Sequence, residues 1–279
     1  MDIAGVTYLG NRYRLGPVVR RSTAVDVHEA WDERLERPVD VEVLHDQTGL
    51  DDVVRARFRR ETQAASRLSH PNVVGLLDRG EEAGRPYVVT EPLRGRSLDS
   101  VLHGHTFRES TALGLAADVC AGLQHAHDHG LIHGCMDTSS IVVTTDGTAK
   151  VGEFGLARVA VATGEIVHGH LAYIAPEQID GDRVDARADV YAAGVVLYRM
   201  LTGGLPFEGS PATMTLQKRH SSPRRPRIVD PSISVPAEVI TLTALAREPG
   251  ARYPSARAML TDLTRVAQLP DASPVAHRP

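Results

Sequence analysis

Over roughly the first 90 residues apolar and polar positions alternate with a period of two, the mark of half-buried strands. Val39, Val41 and Val43 alternate with Asp40 and Glu42. Strands are predicted over 13–19, 24–31 and 38–44, and again over 73–79 and 86–90. The last two flank Glu81-Glu82-Ala83-Gly84, which reads as a turn. Residues 51–68 read as a charged helix with Phe58, Ala65 and Leu68 as its apolar spots. After Glu91-Pro92 the pattern becomes mostly helical. Leu113, Leu115, Ala116, Val119, Cys120, Leu123 and Ala126 form one stripe on a long helix. Residues 190–201 are apolar almost all round, which predicts a buried helix. Two further helices are predicted over 236–245 and 255–266. No internal repeat is visible.

Composition narrows the class. The chain has 279 residues, 42% hydrophobic and 24% charged, ordinary values for a globular protein with room for two lobes. A formal charge of −4 gives no reason to expect a nucleic-acid partner. Cys120 on the long helix and Cys135 on a loop suggest no disulfide framework, which fits a reducing cytoplasm. No apolar run approaches the ~20 residues that span a bilayer, and the first residues lack the regions of a signal peptide. Residues 269–279 read as a disordered tail, either a true end or a link to a membrane-anchored remainder.

Chemistry enters with Gly-His-Leu-Ala-Tyr-Ile-Ala-Pro-Glu-Gln (Gly169 to Gln178), followed by Asp-Ala-Arg-Ala-Asp-Val-Tyr (Asp185 to Tyr191). These runs resemble the activation-segment end and the next helix of bacterial eukaryotic-like Ser/Thr protein kinases. The resemblance extends from Tyr13 to Gln268. It implies an α+β, bilobal protein kinase fold: an N-terminal extension over 1–12, a five-stranded antiparallel sheet with one helix over 13–91, and a mainly helical C-terminal lobe over 92–268.

In such kinases phosphoryl transfer rests on positioning and charge neutralisation, and the resemblance assigns each role to a position here. The Gly-rich loop falls on 16–27, where no glycine follows Val19; Arg20 and Arg21 stand there instead and read as a solvated turn. Glu42 takes the place of the strand lysine, and Asp40 that of the alanine that packs on adenine. Glu61 matches the helix glutamate that normally pairs with that lysine. Opposite Glu42 it makes a like-charge pair, which Arg57, a loop arginine or an outward swing of the helix is expected to relieve. Cys135 stands for the catalytic aspartate, Asp137 for the following lysine, Ser140 for the magnesium-binding asparagine and Glu153 for the metal-binding aspartate. His133 beside Cys135 is too little for a cysteine nucleophile.

Framework positions match the family better. His133, Phe154, Ala65 and Leu76 match a hydrophobic column joining the lobes. Asp189 matches the buried acceptor of catalytic-loop amides, and Glu177 with Arg252 a buried ion pair. The resemblance therefore implies a degenerate member, a pseudokinase that is no enzyme, with no catalytic, cofactor or metal site. Its expected role is a scaffold for protein partners. Thr163 is the one Ser or Thr between Phe154 and Pro176, and is the expected acceptor for an active Ser/Thr kinase. Gly134 occupies the position whose arginine would capture that phosphate, so an outside reader such as a phosphothreonine-binding forkhead-associated domain is expected. The family also implies a dimer through the back of the N-terminal lobe. Two alternatives stay open: a rewired nucleotide- or metal-dependent phosphotransferase using Glu153, Asp137 and Arg20 or Arg21, and a non-nucleotide ligand behind a small Thr90. The basic run from Lys218 to Arg227 reads first as a solvated loop balancing an acidic domain, with docking of an acidic partner or a membrane as the alternative.

Overall fold

The alternating N-terminal segments pair into one antiparallel sheet. A computed structural model of the chain describes residues 2–3, 6–22, 25–44, 52–154 and 168–268. In sequence order the first strands are β1 (Asp2–Ile3), β2 (Val6–Leu9), β3 (Tyr13–Arg21), β4 (Val25–Asp32) and β5 (Arg37–Leu44). Then come helix α1 (Asp52–Ala65) and strands β6 (Leu76–Glu82) and β7 (Arg85–Thr90). The sheet order is β1-β2-β3-β4-β5-β7-β6. The five expected strands are present, and Asp2–Ile3 and Val6–Leu9 add two more at the edge. Arg12 locks this edge, donating to both carboxylate oxygens of Asp32 at 2.7 Å and to Asp78 at 2.8 Å.

The period of two sorts β5 into faces. Val39 and Val41 pack with Leu9, Tyr13, Tyr87 and Val89 on one side. Asp40 and Glu42 turn to the other, opposite Thr90 and Val88 of β7. On that second side Leu44 joins Val25, Val27, Val88 and Phe58 of α1.

Past Pro92 the chain is helical but not wholly so. Short strands β8 (Gly95–Ser97), β9 (Ile141–Thr144) and β10 (Ala149–Val151) form a second sheet in the order β10-β9-β8. The helices are α2 (Leu98–Leu102), α3 (Glu109–Asp128), α4 (His168–Leu171), α5 (Pro176–Asp180) and α6 (Arg187–Thr202), then α7 (Pro211–His220), α8 (Pro226–Val229), α9 (Val235–Ala244) and α10 (Ala256–Ala267). Ser97, Ser210, Ser234 and Ser255 cap α2, α7, α9 and α10 by accepting a first-turn amide. As its unbroken apolar run predicts, α6 is buried on nearly every side. One core runs from Ala65, Leu68 and Val73 of the sheet lobe into the helical lobe. Backbone bonds stitch the same junction: the Val74 amide donates to Val151, and the Val151 amide to Asn72, both at 2.9 Å.

Candidate functional site

The region between the lobes brings together Arg20 of β3, Glu42 of β5, Ala65 of α1, and Asp137, Glu153 and Phe154 of the facing loops. The face of β5 that carries Asp40 and Glu42 looks into it. Asp40 is 3% exposed and Glu42 5%. Two carboxylates so placed need cations, hydrogen bonds or protons.

Asp40 has a cation. Arg20 Nη2 of β3 donates to its Oδ2 at 2.5 Å, and the Leu93 amide donates to the same oxygen at 3.2 Å. Arg20 Nη1 reaches the Leu93 carbonyl at 3.3 Å. Arg20, Asp40 and Leu93 thus tie β3 and β5 to the segment joining the lobes. The expectation of a solvated turn at Arg20 is corrected: its side chain is 11% exposed and engaged. Arg21, 74% exposed beside Asp26, remains at the surface.

The expected relief of Glu42 by Arg57 is also corrected. Arg57 lies 3.9 Å from Glu61, one helical turn along its own helix, and Arg60 lies 3.5 Å from it. Arg20, in the run matched to the Gly-rich loop, is the cation that favours ionised Glu42, while burial favours its neutral form. Burial pushes its carboxyl up to about 7, with Asp40 raising it and Arg20 opposing. The acid that shares its surroundings is Glu153, whose carboxyl is pushed well above the carboxylate range by burial, then by Glu42 and Asp137. A hydrogen bond with Ser22 opposes that shift. Glu153 sits at φ +59°, in the left-handed region. Glu42, Glu153 and Thr90 line a cavity of about 10 Å³ with Val74, Leu76 and Phe154, room for about one water. The back pocket expected behind Thr90 is therefore small.

The facing loop that carries Asp137 is bonded to itself. Asp137 Oδ1 accepts from the Ser139 amide at 2.7 Å, the Ser139 hydroxyl at 2.6 Å and the Ser140 amide at 3.2 Å. The Ser140 hydroxyl donates to the Asp137 carbonyl at 3.0 Å. His170 Nδ1 lies 3.1 Å from Asp137 Oδ2, and burial holds that imidazole below its usual range. Cys135 is buried at 5% exposure.

The framework residues are brought together. Asp189 accepts the Gly134 amide at 2.7 Å and the His133 amide at 2.9 Å, with His127 Nε2 2.7 Å away. His133 Nε2 meets the Gly152 carbonyl at 3.0 Å, and its ring lies 4.8 Å from that of Phe154. Burial keeps His133 neutral by lowering its pKa. Arg252 forks onto Glu177 at 2.7 and 2.6 Å. Thr163 lies outside the described residues.

Sequence reasoning missed His127, His170, Gln178, whose Nε2 donates to the Gly134 carbonyl at 2.7 Å, and Arg199. The last donates to Asp99 at 2.8 Å, and to Thr138 and Tyr173 at 2.7 Å. These contacts join segments far apart in the chain, and a lone His or Gln carries no local signal of them. Among the described residues no group of three or more His, Cys, Asp or Glu is arranged to hold a metal ion. A magnesium nucleotide held in the kinase manner does not fit these residues. The strand position that would meet phosphate carries a buried carboxyl in place of a cation, and Arg20 and Asp40 bond the carbonyl and amide of Leu93.

Comparison with known proteins bears on the family. A protein kinase domain model matches residues 40–263. A probable serine/threonine-protein kinase of Streptomyces coelicolor is 36% identical over 91% of this chain and 40% of its own length. Serine/threonine-protein kinase PknB of Mycobacterium leprae is 38% identical over 96% of this chain and 45% of its own. The chain thus spans less than half the length of these relatives. The kinase domain of Mycobacterium tuberculosis PknI, in a mutant crystal structure, superposes with a TM-score of 0.78 at 25% identity, covering 96% of this chain and all of that one. These relatives correct one expectation. The substitutions at Glu42, Cys135, Asp137, Ser140 and Glu153 led to a chain that is no enzyme, whereas relatives of this similarity are named as protein kinases and point to an enzyme. No helix among the described residues is long and apolar enough to cross a membrane.

Proposed function

The chain belongs to the protein kinase family, and on that premise we propose that it is a signalling domain of the bacterial Ser/Thr kinase lineage that works by holding protein partners, with phosphorylation by an active Ser/Thr kinase as its switch. One contrast carries this reading. Asp189 braces the His133 and Gly134 amides and Arg252 braces Glu177, while Asp40, Asp137 and Ser140 are bonded within the site itself. A stiff frame serves recognition whatever chemistry the cleft performs. The same reading gives the domain a cytoplasmic setting, within a larger membrane-anchored protein, and a dimer through the back of its sheet lobe.

Thr163 is the switch residue. A phosphate there adds about −1.5 to −2 charges, and Gly134 offers it no side-chain cation, which leaves it to a forkhead-associated domain. The test is phosphorylation of the whole chain by an active Ser/Thr kinase of the PknB type, peptide mapping, and binding to an isolated forkhead-associated domain. Modification at Thr163 with binding that Thr163→Ala abolishes is expected. An unmodified Thr163, or unchanged binding by the alanine variant, sinks the proposal.

A rewired phosphotransferase is the second reading. The relatives' names favour it, as do the raised carboxyls of Glu42 and Glu153, since burial makes both harder to ionise and the cleft less negative than its count of acids. Thermal melting with ATP, with and without magnesium or manganese, separates the two. A ligand at 100 times its dissociation constant adds about 2.7 kcal/mol. A metal-dependent rise that Glu153→Gln removes, together with phosphate transfer, supports the second reading; no rise at millimolar nucleotide rejects it.

A further inference from the structure

Two cavities adjoin on the helical lobe, far along the chain from the interlobe cleft. The first, about 440 Å³, is lined by Tyr191, Phe207, Lys218, Leu242, Leu245 and Arg247. The second, about 330 Å³, is lined by Tyr198, Phe207, Gln217, Arg224 and Val229. Phe207, Ser221 and Ser222 belong to both.

The linings mix apolar and polar groups, and part of that polarity is unused. Tyr191 is fully buried, and its hydroxyl has no hydrogen-bond partner. Gln217 Oε1 is likewise buried without a partner. A buried hydroxyl or amide oxygen left so is unfavourable, and both residues belong to the cavity linings. Lys218, 1% exposed, donates to the carbonyls of Ala172 at 2.8 Å and Ile174 at 2.6 Å. The groove floor is thereby bonded to the chain just before α5.

Charge selects the occupant. Arg224, Arg225 and Arg247 stand among the lining residues against one acid, Glu208. The run from Lys218 to Arg227 holds five Lys or Arg and no Asp or Glu, in a chain of net charge −4. Arg225 is held by the buried Glu238 at 2.5 Å. Arg224 is exposed, and Arg247 lies 3.5 Å from the exposed Glu248. Ile228 and Val229 add exposed apolar surface beside the second cavity. Two apolar cavities that share a wall suit successive side chains of an extended chain, and the unpartnered Gln217 amide suits its backbone.

We propose that these two cavities form one docking groove for an acidic, extended peptide segment of a partner protein. The groove rests on the partner-binding reading above and gives it a surface. A random heptapeptide library panned on the whole chain tests it, with enriched peptides measured by fluorescence anisotropy. Ser222→Trp plugs both cavities from an exposed position, and Arg224→Glu with Arg247→Glu reverses the rim. Enrichment of Asp- and Glu-rich peptides carrying apolar residues is expected, with binding weakened about tenfold or more in both variants. Ser222→Ala should bind as the parent does, and all variants should melt as it does. Absence of acidic enrichment, or undiminished binding by the plugged and reversed variants, overturns the groove. So does capture of phosphatidylglycerol vesicles, lost on charge reversal, in place of any peptide. Binding of the Thr163-phosphorylated chain to a forkhead-associated domain is scored on the same variants. If that survives while the groove fails, the partner-binding reading stands without this surface.

Discussion

Glu42 shows how one buried carboxyl sets a pH dependence. Its ordinary value is 4.5, and burial raises it to about 7 in the folded protein. Between these values the folded chain holds a proton that the unfolded chain has released. The stability this group contributes is therefore fully present below pH 4.5 and is lost as pH rises through about 7. Glu153 shifts in the same direction and adds to the slope. Glu42→Gln keeps the shape and removes the titration. The variant is expected to be more stable than the parent at pH 8, by up to about 3 kcal/mol, and to lose that advantage near pH 5. Urea unfolding at several pH values checks this; parallel profiles for the two proteins would reject the buried, proton-holding Glu42. Arg252 is the opposite case, since its charge is matched. Arg252→Met leaves Glu177 buried with its cation gone, and is expected to cost about 3–5 kcal/mol. Glu177→Gln should cost less, because the fork keeps the carbonyls of Ala246, Arg187 and Arg247. Equal losses from the two would argue against that difference.

At the scale of elements, close approach of helices separates two glycines that sequence alone does not distinguish. Gly194 lies in α6 against α9, where an added Cβ would stand 2.7 Å from the Cβ of Ala244. Gly114 lies in α3 with nothing within 4 Å of the same atom. Gly114→Ala is expected to stabilise by about 0.4–1 kcal/mol through helix propensity and chain entropy. Gly194→Ala is expected to destabilise despite that gain, because overpacking costs about 1–3 kcal/mol. Paired denaturant midpoints measure both, and a stabilising Gly194→Ala would mean that α6 and α9 sit further apart than described. Long regular patterns were legible from sequence: β5 from its alternation, α6 from its unbroken apolar run, α3 from its stripe. The strands β1, β8 and β10 have two or three residues each, too few for a period to show. The site was legible in part. The alternation in β5 put Asp40 and Glu42 on one face, but the partner each needed was not readable. Arg20 meets Asp40 from 20 positions away and His170 lies beside Asp137 from 33 away, contacts that depend on the folded path of the chain. The four-residue spacing put Arg57 on the face of Glu61, where it lies, but charge alone could not choose among Arg57, a loop arginine and a swing of the helix for Glu42.

At the scale of the molecule, the two lobes share bonds that neither can satisfy alone. Asn72 Nδ2 donates to the Ala149 carbonyl at 3.0 Å, and Lys150 Nζ reaches Glu91 Oε1 at 2.7 Å. Val73 pairs with Val151 as a parallel bridge, and the large core takes Ala65, Leu68 and Val73 from the sheet lobe. Separating the lobes exposes these backbone groups and that apolar surface together, so the chain is expected to unfold in one cooperative step. Its single tryptophan makes this measurable. Trp31 lies on β4 and reports on the sheet lobe, while far-UV circular dichroism is dominated by helices of the other lobe. The two urea transitions are expected to coincide. Asn72→Ala removes the side-chain bond across the junction and leaves the Ala149 carbonyl without that donor. It should lower both midpoints together, by about 1–3 kcal/mol in stability. If instead the fluorescence transition moves ahead of the dichroism transition, the sheet lobe opens on its own, and the bonds at the junction hold less of the molecule than their number implies.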